Sequence, residues 1–100
     1  MYRPLPKEVT IKKSYIEGLG LFANEHLVAN TKLGVSHIKD DRFEDGYIRT
    51  PLGGFVNHSY EPNCIKDFET EEWGQIYHMR TIRAIKKGEE LFLNYTFYSV

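Results

Sequence analysis

Only three alanines stand against seven tyrosines and six phenylalanines in this 100-residue chain. Such a mixture is poor in helix formers and rich in side chains that fill pleated, half-buried surfaces. Alternating apolar and polar residues predict a strand over Val9–Lys13. Glu17-Gly18-Leu19-Gly20 then reads as a turn, and Leu21–Ala23 leaves it as a second strand. Asn24 is placed to cap a single helical turn ending at Val28. Leu33–Ile38 reads as a strand with Leu33, Val35 and His37 on one face, followed by irregular polar chain from Lys39 to Gly46. Further strands are expected at Cys64–Phe68, Gly74–Arg80, Thr81–Ile85 and Glu90–Phe97, with Lys86-Lys87-Gly88 as a turn. The expected architecture is one mostly β domain over residues 1–100, with very little helix.

One domain with one modest core is what a chain of this length supports. A hydrophobic content of 41% and a charged content of 27% exclude a disordered tail or a collagen-like repeat. The longest apolar runs, about three residues, give neither a transmembrane helix nor a signal-peptide core. The lone cysteine, Cys64, makes no intrachain disulfide and no cysteine-rich zinc site. These features point to a soluble, intracellular protein. The net charge of −1 argues against direct nucleic-acid binding. Its distribution is uneven: nine acidic side chains fall between residues 40 and 72, against three basic ones. That acidic centre is either a solvated surface or one that attracts a cationic partner.

Three segments carry chemistry. In Gly18-Leu19-Gly20-Leu21-Phe22-Ala23, two glycines let the backbone approach a ligand, although a tight turn explains them equally well. The third glycine and following helix of a dinucleotide site are missing. Asn57-His58-Ser59-Tyr60-Glu61-Pro62-Asn63-Cys64 is dense in hydrogen-bonding, turn-forming side chains. A metal site from His58, Cys64 and His78 has no recognised ligand spacing behind it. The third segment, Gly88-Glu89-Glu90-Leu91-Phe92-Leu93-Asn94-Tyr95, reads by itself as a turn and an edge strand.

In this order, over residues 9 to 98, the three blocks resemble the SET domain, the fold of most protein lysine methyltransferases. The resemblance implies several small β-sheets around a pseudoknot in which the C-terminal segment threads beside the Asn-His block. It implies S-adenosylmethionine as methyl donor, held by Gly18, Leu19, Gly20, Leu21, Phe22, Asn57, His58, Tyr95 and Phe97, with no metal. Tyr95 is the implied catalytic residue. A target lysine would enter a narrow channel bordered by Tyr47 and Leu93, where in-line transfer to a neutral amine is set mainly by positioning. Leu93, lacking a hydroxyl, implies addition of more than one methyl group.

Gly54 and Tyr60 stand where relatives usually carry Arg and often Cys. The zinc-binding cysteine cluster that many relatives carry after the final tyrosine is missing. Phe97, Tyr98 or a second copy of the chain would then cover the donor, so a homodimer is one expectation. The expected partner is a basic, lysine-containing protein or peptide, and no membrane, with the chain in the cytoplasm or, acting on chromatin, the nucleus. The competing expectation is a catalytically weak module that binds a basic peptide or S-adenosylmethionine without useful turnover.

Overall fold

The structure is a computed structural model that describes residues 5–43 and 46–94. Eight short strands and one short helix follow one another as β1 (Val9–Lys13), β2 (Leu19–Ala23), β3 (Lys32–Lys39), β4 (Tyr47–Arg49), α1 (Pro51–Phe55), β5 (Asn57–His58), β6 (Cys64–Glu71), β7 (Gly74–Thr81) and β8 (Phe92–Leu93). They form three small sheets: β1 with β2, a four-stranded sheet in the order β4-β3-β7-β6, and β5 with β8. All pairs are antiparallel except β5 and β8, which run parallel. The mostly β reading with very little helix holds.

Several local expectations give way. Residues 24–28 form no helical turn. The Asn24 side chain instead donates to the carbonyls of Lys7 and Val9, tying it to the start of β1 and the chain just before it. The helix lies at Pro51–Phe55, in a segment whose two glycines argue against one. Thr50 accepts from the Gly53 amide and Pro51 opens the first turn, both favourable at a helix start. Gly53 is there because α1 lies directly on β3: a Cβ at this position would strike the Ser36 carbonyl. Packing therefore overrides propensity.

The face assignment of β3 also changes. Register shifts between Lys32 and Gly34, and between Val35 and His37, break the strict alternation. Ser36 and His37, adjacent in sequence, are both fully enclosed, and Val35 is only partly buried. The expected strand at Thr81–Ile85 is the end of β7 followed by an isolated bridge from Ile85 to Leu27. The core gathers Val9, Leu21, Ala23, Leu27, Leu33, Leu52, Val56, Cys64, Met79, Ile85, Leu91 and Leu93 from every sheet.

Candidate active site

The parallel β5–β8 pair is the key to the site, since two strands this short have little stability in isolation. Asn57 is opposite Phe92 and His58 opposite Leu93. Asn63 fixes the crossing: its Nδ2 donates to the Glu90 carbonyl at 2.9 Å, and its Oδ1 accepts from the Phe92 amide at 2.8 Å. At 1% exposure this amide does in the interior what a strand neighbour would otherwise do. On the other side, the Leu91 amide donates to the Leu21 carbonyl and the Ala23 amide to the Glu89 carbonyl. The segment 89–93 is thus held between β2 and the Asn57–Cys64 block, which is the threading expected of the pseudoknot.

Asn57 is the junction of these parts. Its Nδ2 lies 2.8 Å from Glu90 Oε2, 3.2 Å from the Glu17 carbonyl and 3.3 Å from the Leu19 carbonyl. Glu90 also accepts from the Ser14 hydroxyl, at 2.8 and 3.0 Å to its two oxygens. Gly20 is needed for this network, because a Cβ there would strike the Glu90 carboxylate. Its small size serves internal packing. Gly18 differs: its φ of +51° is a left-handed conformation, and a Cβ there would meet nothing within 4 Å. Open backbone lies at Gly18, beside the exposed side chains of Tyr15, Ile16 and Leu19.

Of the residues expected to hold the donor, Gly18, Leu19 and Asn57 therefore border one accessible region, while His58, on β5, pairs with Leu93 of β8. Leu21 and Phe22 do not share that access. Leu21 is wholly enclosed and Phe22 is 5% exposed, with their strand covered on one edge by β1 and on the other by residues 89–91. The His58 ring makes an edge contact with Tyr60, the centroids 4.6 Å apart. Tyr95, Phe97 and Tyr98 lie outside the described residues.

Tyr47 and Leu93, the two expected channel residues, are placed differently from each other. Leu93 has no accessible surface and packs within the core. Tyr47 belongs to an aromatic group on the four-stranded sheet, with its ring 5.4 Å from Tyr77 and 6.2 Å from His37. A hydrogen bond with Tyr47, aided by burial, pushes the Tyr77 hydroxyl up to about 12. Lys66 places its amine 4.4 Å from the centre of the Tyr77 ring. Burial, with the nearby Arg49 charge, pulls that amine down to about 7.

The opposite face of the sheet carries much of the acidic centre. Asp67 is paired with Arg80, which holds its carboxyl below the ordinary value, and Glu69 meets Lys32 at 3.2 Å and His78 at 3.1 Å. Ligand atoms of Glu69, Glu71 and His78 lie within 4.8 Å of one another, a different grouping from His58, Cys64 and His78. Sequence reasoning passed over Ser14, Asn63, Lys66 and Glu90. The only signals were the polar run around Asn63 and the doubled glutamate at Glu89-Glu90; nothing local marked Ser14 or Lys66.

The SET domain family model matches residues 36–96. This chain belongs to the SET domain family. It is 29% identical over 90 residues to histone-lysine N-methyltransferase SETD7 of Halocynthia roretzi, covering 89% of this chain and 23% of that protein. Histone-lysine N-methyltransferase ATXR7 of Arabidopsis thaliana is 37% identical over 71 residues, covering 66% of this chain and 5% of that protein. The chain thus spans less than a quarter of these curated relatives. A solved Plasmodium falciparum structure, assigned as a histone methyltransferase, superposes with a TM-score of 0.74 at 21% identity, over 91% of this chain and 95% of that one. That likeness establishes the SET fold. Among the described residues no helix is long and apolar enough to cross a membrane.

Proposed function

We propose that this SET domain is an S-adenosylmethionine-dependent protein-lysine N-methyltransferase. The observation that carries the reading is the β5–β8 crossing, which brings the Asn-His block, the glycine turn and the segment leading to Tyr95 into one place. Bound S-adenosylmethionine supplies a methyl carbon on a sulfonium. Open backbone at Gly18 and the apolar tip of Tyr15, Ile16 and Leu19 suit an approach by such a donor. Asn57 and His58 are the residues proposed to hold its polar groups, Phe97 to cover it, and Tyr95 to orient methyl and amine. A second copy of the chain is the proposed alternative source of cover.

The acceptor is a lysine in a basic protein, and the relatives' names point to histones and thus to a nuclear setting. Free lysine has a pKa of about 10.4, so the acceptor amine must lose its proton in a water-poor, aromatic setting. Tyr47, among His37 and Tyr77, stands in such a setting. Leu93 brings no hydroxyl to order water, which favours transfer of more than one methyl group. A time course with excess donor that stops at monomethyl-lysine would count against that part.

The decisive experiment combines calorimetry with S-adenosylmethionine and a labelled-methyl assay on basic peptides. Binding with transfer is expected, and Tyr95→Phe should remove most transfer while leaving the fold intact, because the change in volume is small. Binding without transfer to any peptide would favour a non-catalytic binding module. Unchanged turnover in Tyr95→Phe would overturn the role given to that hydroxyl.

A further inference from the structure

The four-stranded sheet ends on β6, an eight-residue strand bonded to β7 on one side only. Among the described residues no backbone group of residues 67–71 bonds to anything beyond that pair, so a row of N–H and C=O groups faces outward. The strand carries its charge in a regular pattern. Asp67, Glu69 and Glu71 alternate along it and so stand on one face, with Glu72 following at the turn. Asp67 and Glu69 already meet cations on the inner side, Arg80 at 2.7 Å and Lys32 at 3.2 Å. The carboxylates of Glu71 and Glu72 have no hydrogen bond or ion pair among the described residues. On the other face Phe68 is 49% exposed, and Trp73 at the hairpin tip is 65% exposed.

The inner end of β6 adjoins the β5–β8 crossing. Cys64 follows directly on Asn63, whose side chain bonds the Glu90 carbonyl and the Phe92 amide, and Phe92 pairs with Asn57. An extended chain laid along β6 therefore runs from the acidic tip toward that crossing, at about 3.3 Å per residue. We propose that the free edge of β6 is a docking site for the basic segment flanking the target lysine, taken up as an added strand. The choice of occupant rests on the methyltransferase reading above and on charge.

In an added strand, main-chain hydrogen bonds supply affinity and alternate side chains supply selection. Residues directly opposite share a face, so lysine or arginine at every second position meets Asp67, Glu69 and Glu71. The intervening positions lie beside Phe68 and suit apolar side chains. A carboxylate has lone pairs for partners on both sides, so Arg80 and Lys32 keep their places. A second copy of the chain fits this edge badly. Antiparallel pairing centred on Glu69 sets Asp67 opposite Glu71 and Glu69 opposite its own copy, and like charges so placed are destabilising.

NMR of the isotopically labelled chain, titrated without donor with a synthetic peptide alternating lysine and valine, tests the proposal. The expected result is shifts concentrated on the amides of residues 67–71, with affinity about tenfold weaker at about 300 mM salt than at about 50 mM. A peptide of the same composition with its lysines in one block should bind more weakly. Glu69→Gln combined with Glu71→Gln should weaken the alternating peptide severalfold. In the labelled-methyl assay that double variant should raise KM for a basic substrate severalfold, with a smaller change in kcat. Shifts confined to other strands, equal affinity for the two peptides, or binding indifferent to the double variant would overturn this inference. Shifts at residues 67–71 that grow with protein concentration without peptide would also overturn it, by giving the edge to a second copy. Docking on β6 with no transfer to any lysine would uphold the basic-peptide site and overturn the enzyme reading. Transfer whose KM ignores both salt and the double variant would do the reverse.

Discussion

At the scale of single residues, Glu90 and Gly20 form a matched pair. The carboxylate fills the space a side chain at residue 20 would take, and from there it accepts from both Ser14 and Asn57. Glu90→Ala should cost about 1–3 kcal/mol in chemical denaturation, since it leaves the partly buried Ser14 and Asn57 donors without their acceptor. Gly20→Ala should cost about as much through overpacking. The two changes compete for one volume, so the double variant should be more stable than the sum of the singles predicts. Strict additivity in that cycle would show that the residues do not compete. Glu90→Ala should also weaken donor binding measured by calorimetry, because the amide of Asn57 then loses one of its three anchors.

Among elements, α1 and the β5–β8 pair exist because of side chains outside them. Thr50 accepts from the Gly53 amide and donates toward the Val35 and Ser36 carbonyls, so it caps the helix and pins it to β3. Thr50→Ala should lower stability by about 0.5–2 kcal/mol, with Thr50→Ser recovering most of it. A loss of equal size in both variants would mean that the methyl group matters more than the hydroxyl. Asn63 is the larger case. Asn63→Ala should cost about 2 kcal/mol, because two partly buried backbone groups, the Glu90 carbonyl and the Phe92 amide, lose their partner together. Hydrogen exchange should show the Phe92 amide opening first in this variant. Exchange unchanged from the parent chain would remove Asn63 from its place as the lock on the crossing.

Over the whole molecule, three groups tie stability to pH in different windows. Lys66 is held at about 7 in the fold against 10.5 free, so between those values the unfolded chain binds more protons and stability rises with pH. The slope is at most about 1.4 kcal/mol per pH unit for one proton, and Lys66→Met should flatten it. Cys64, enclosed and pushed up from 9.0 to about 12, acts in the reverse sense. Above pH 9 the fold keeps the thiol proton that the unfolded chain gives up, so stability falls. Asp67, held low by Arg80, contributes above its ordinary value of 3.8 and loses that contribution as acid protonates it. The expected profile is a rise from neutral pH to a maximum between 9 and 10.5, where the two opposing slopes cancel, and a decline beyond. A flat profile between 7 and 9 that Lys66→Met leaves unchanged would show that this lysine is not buried as described.

Fold class is legible in the chain alone, because scarce alanine, abundant aromatics and regularly spaced turns leave little but short strands. The family is legible there too, since the Asn57–Cys64 and Gly88–Tyr95 blocks carry their pattern as contiguous residues. Tertiary structure decided what depends on contacts between distant segments. The α1 helix, the bulges of β3 and the close fit of Gly20 to Glu90 follow from what lies across from each residue. The same holds for Lys66: in sequence it is one lysine among eight, and only the pairing of β6 with β7 sets its amine on Tyr77. Local pattern records which face a strand can bury; it holds no information about which distant side chain meets it there.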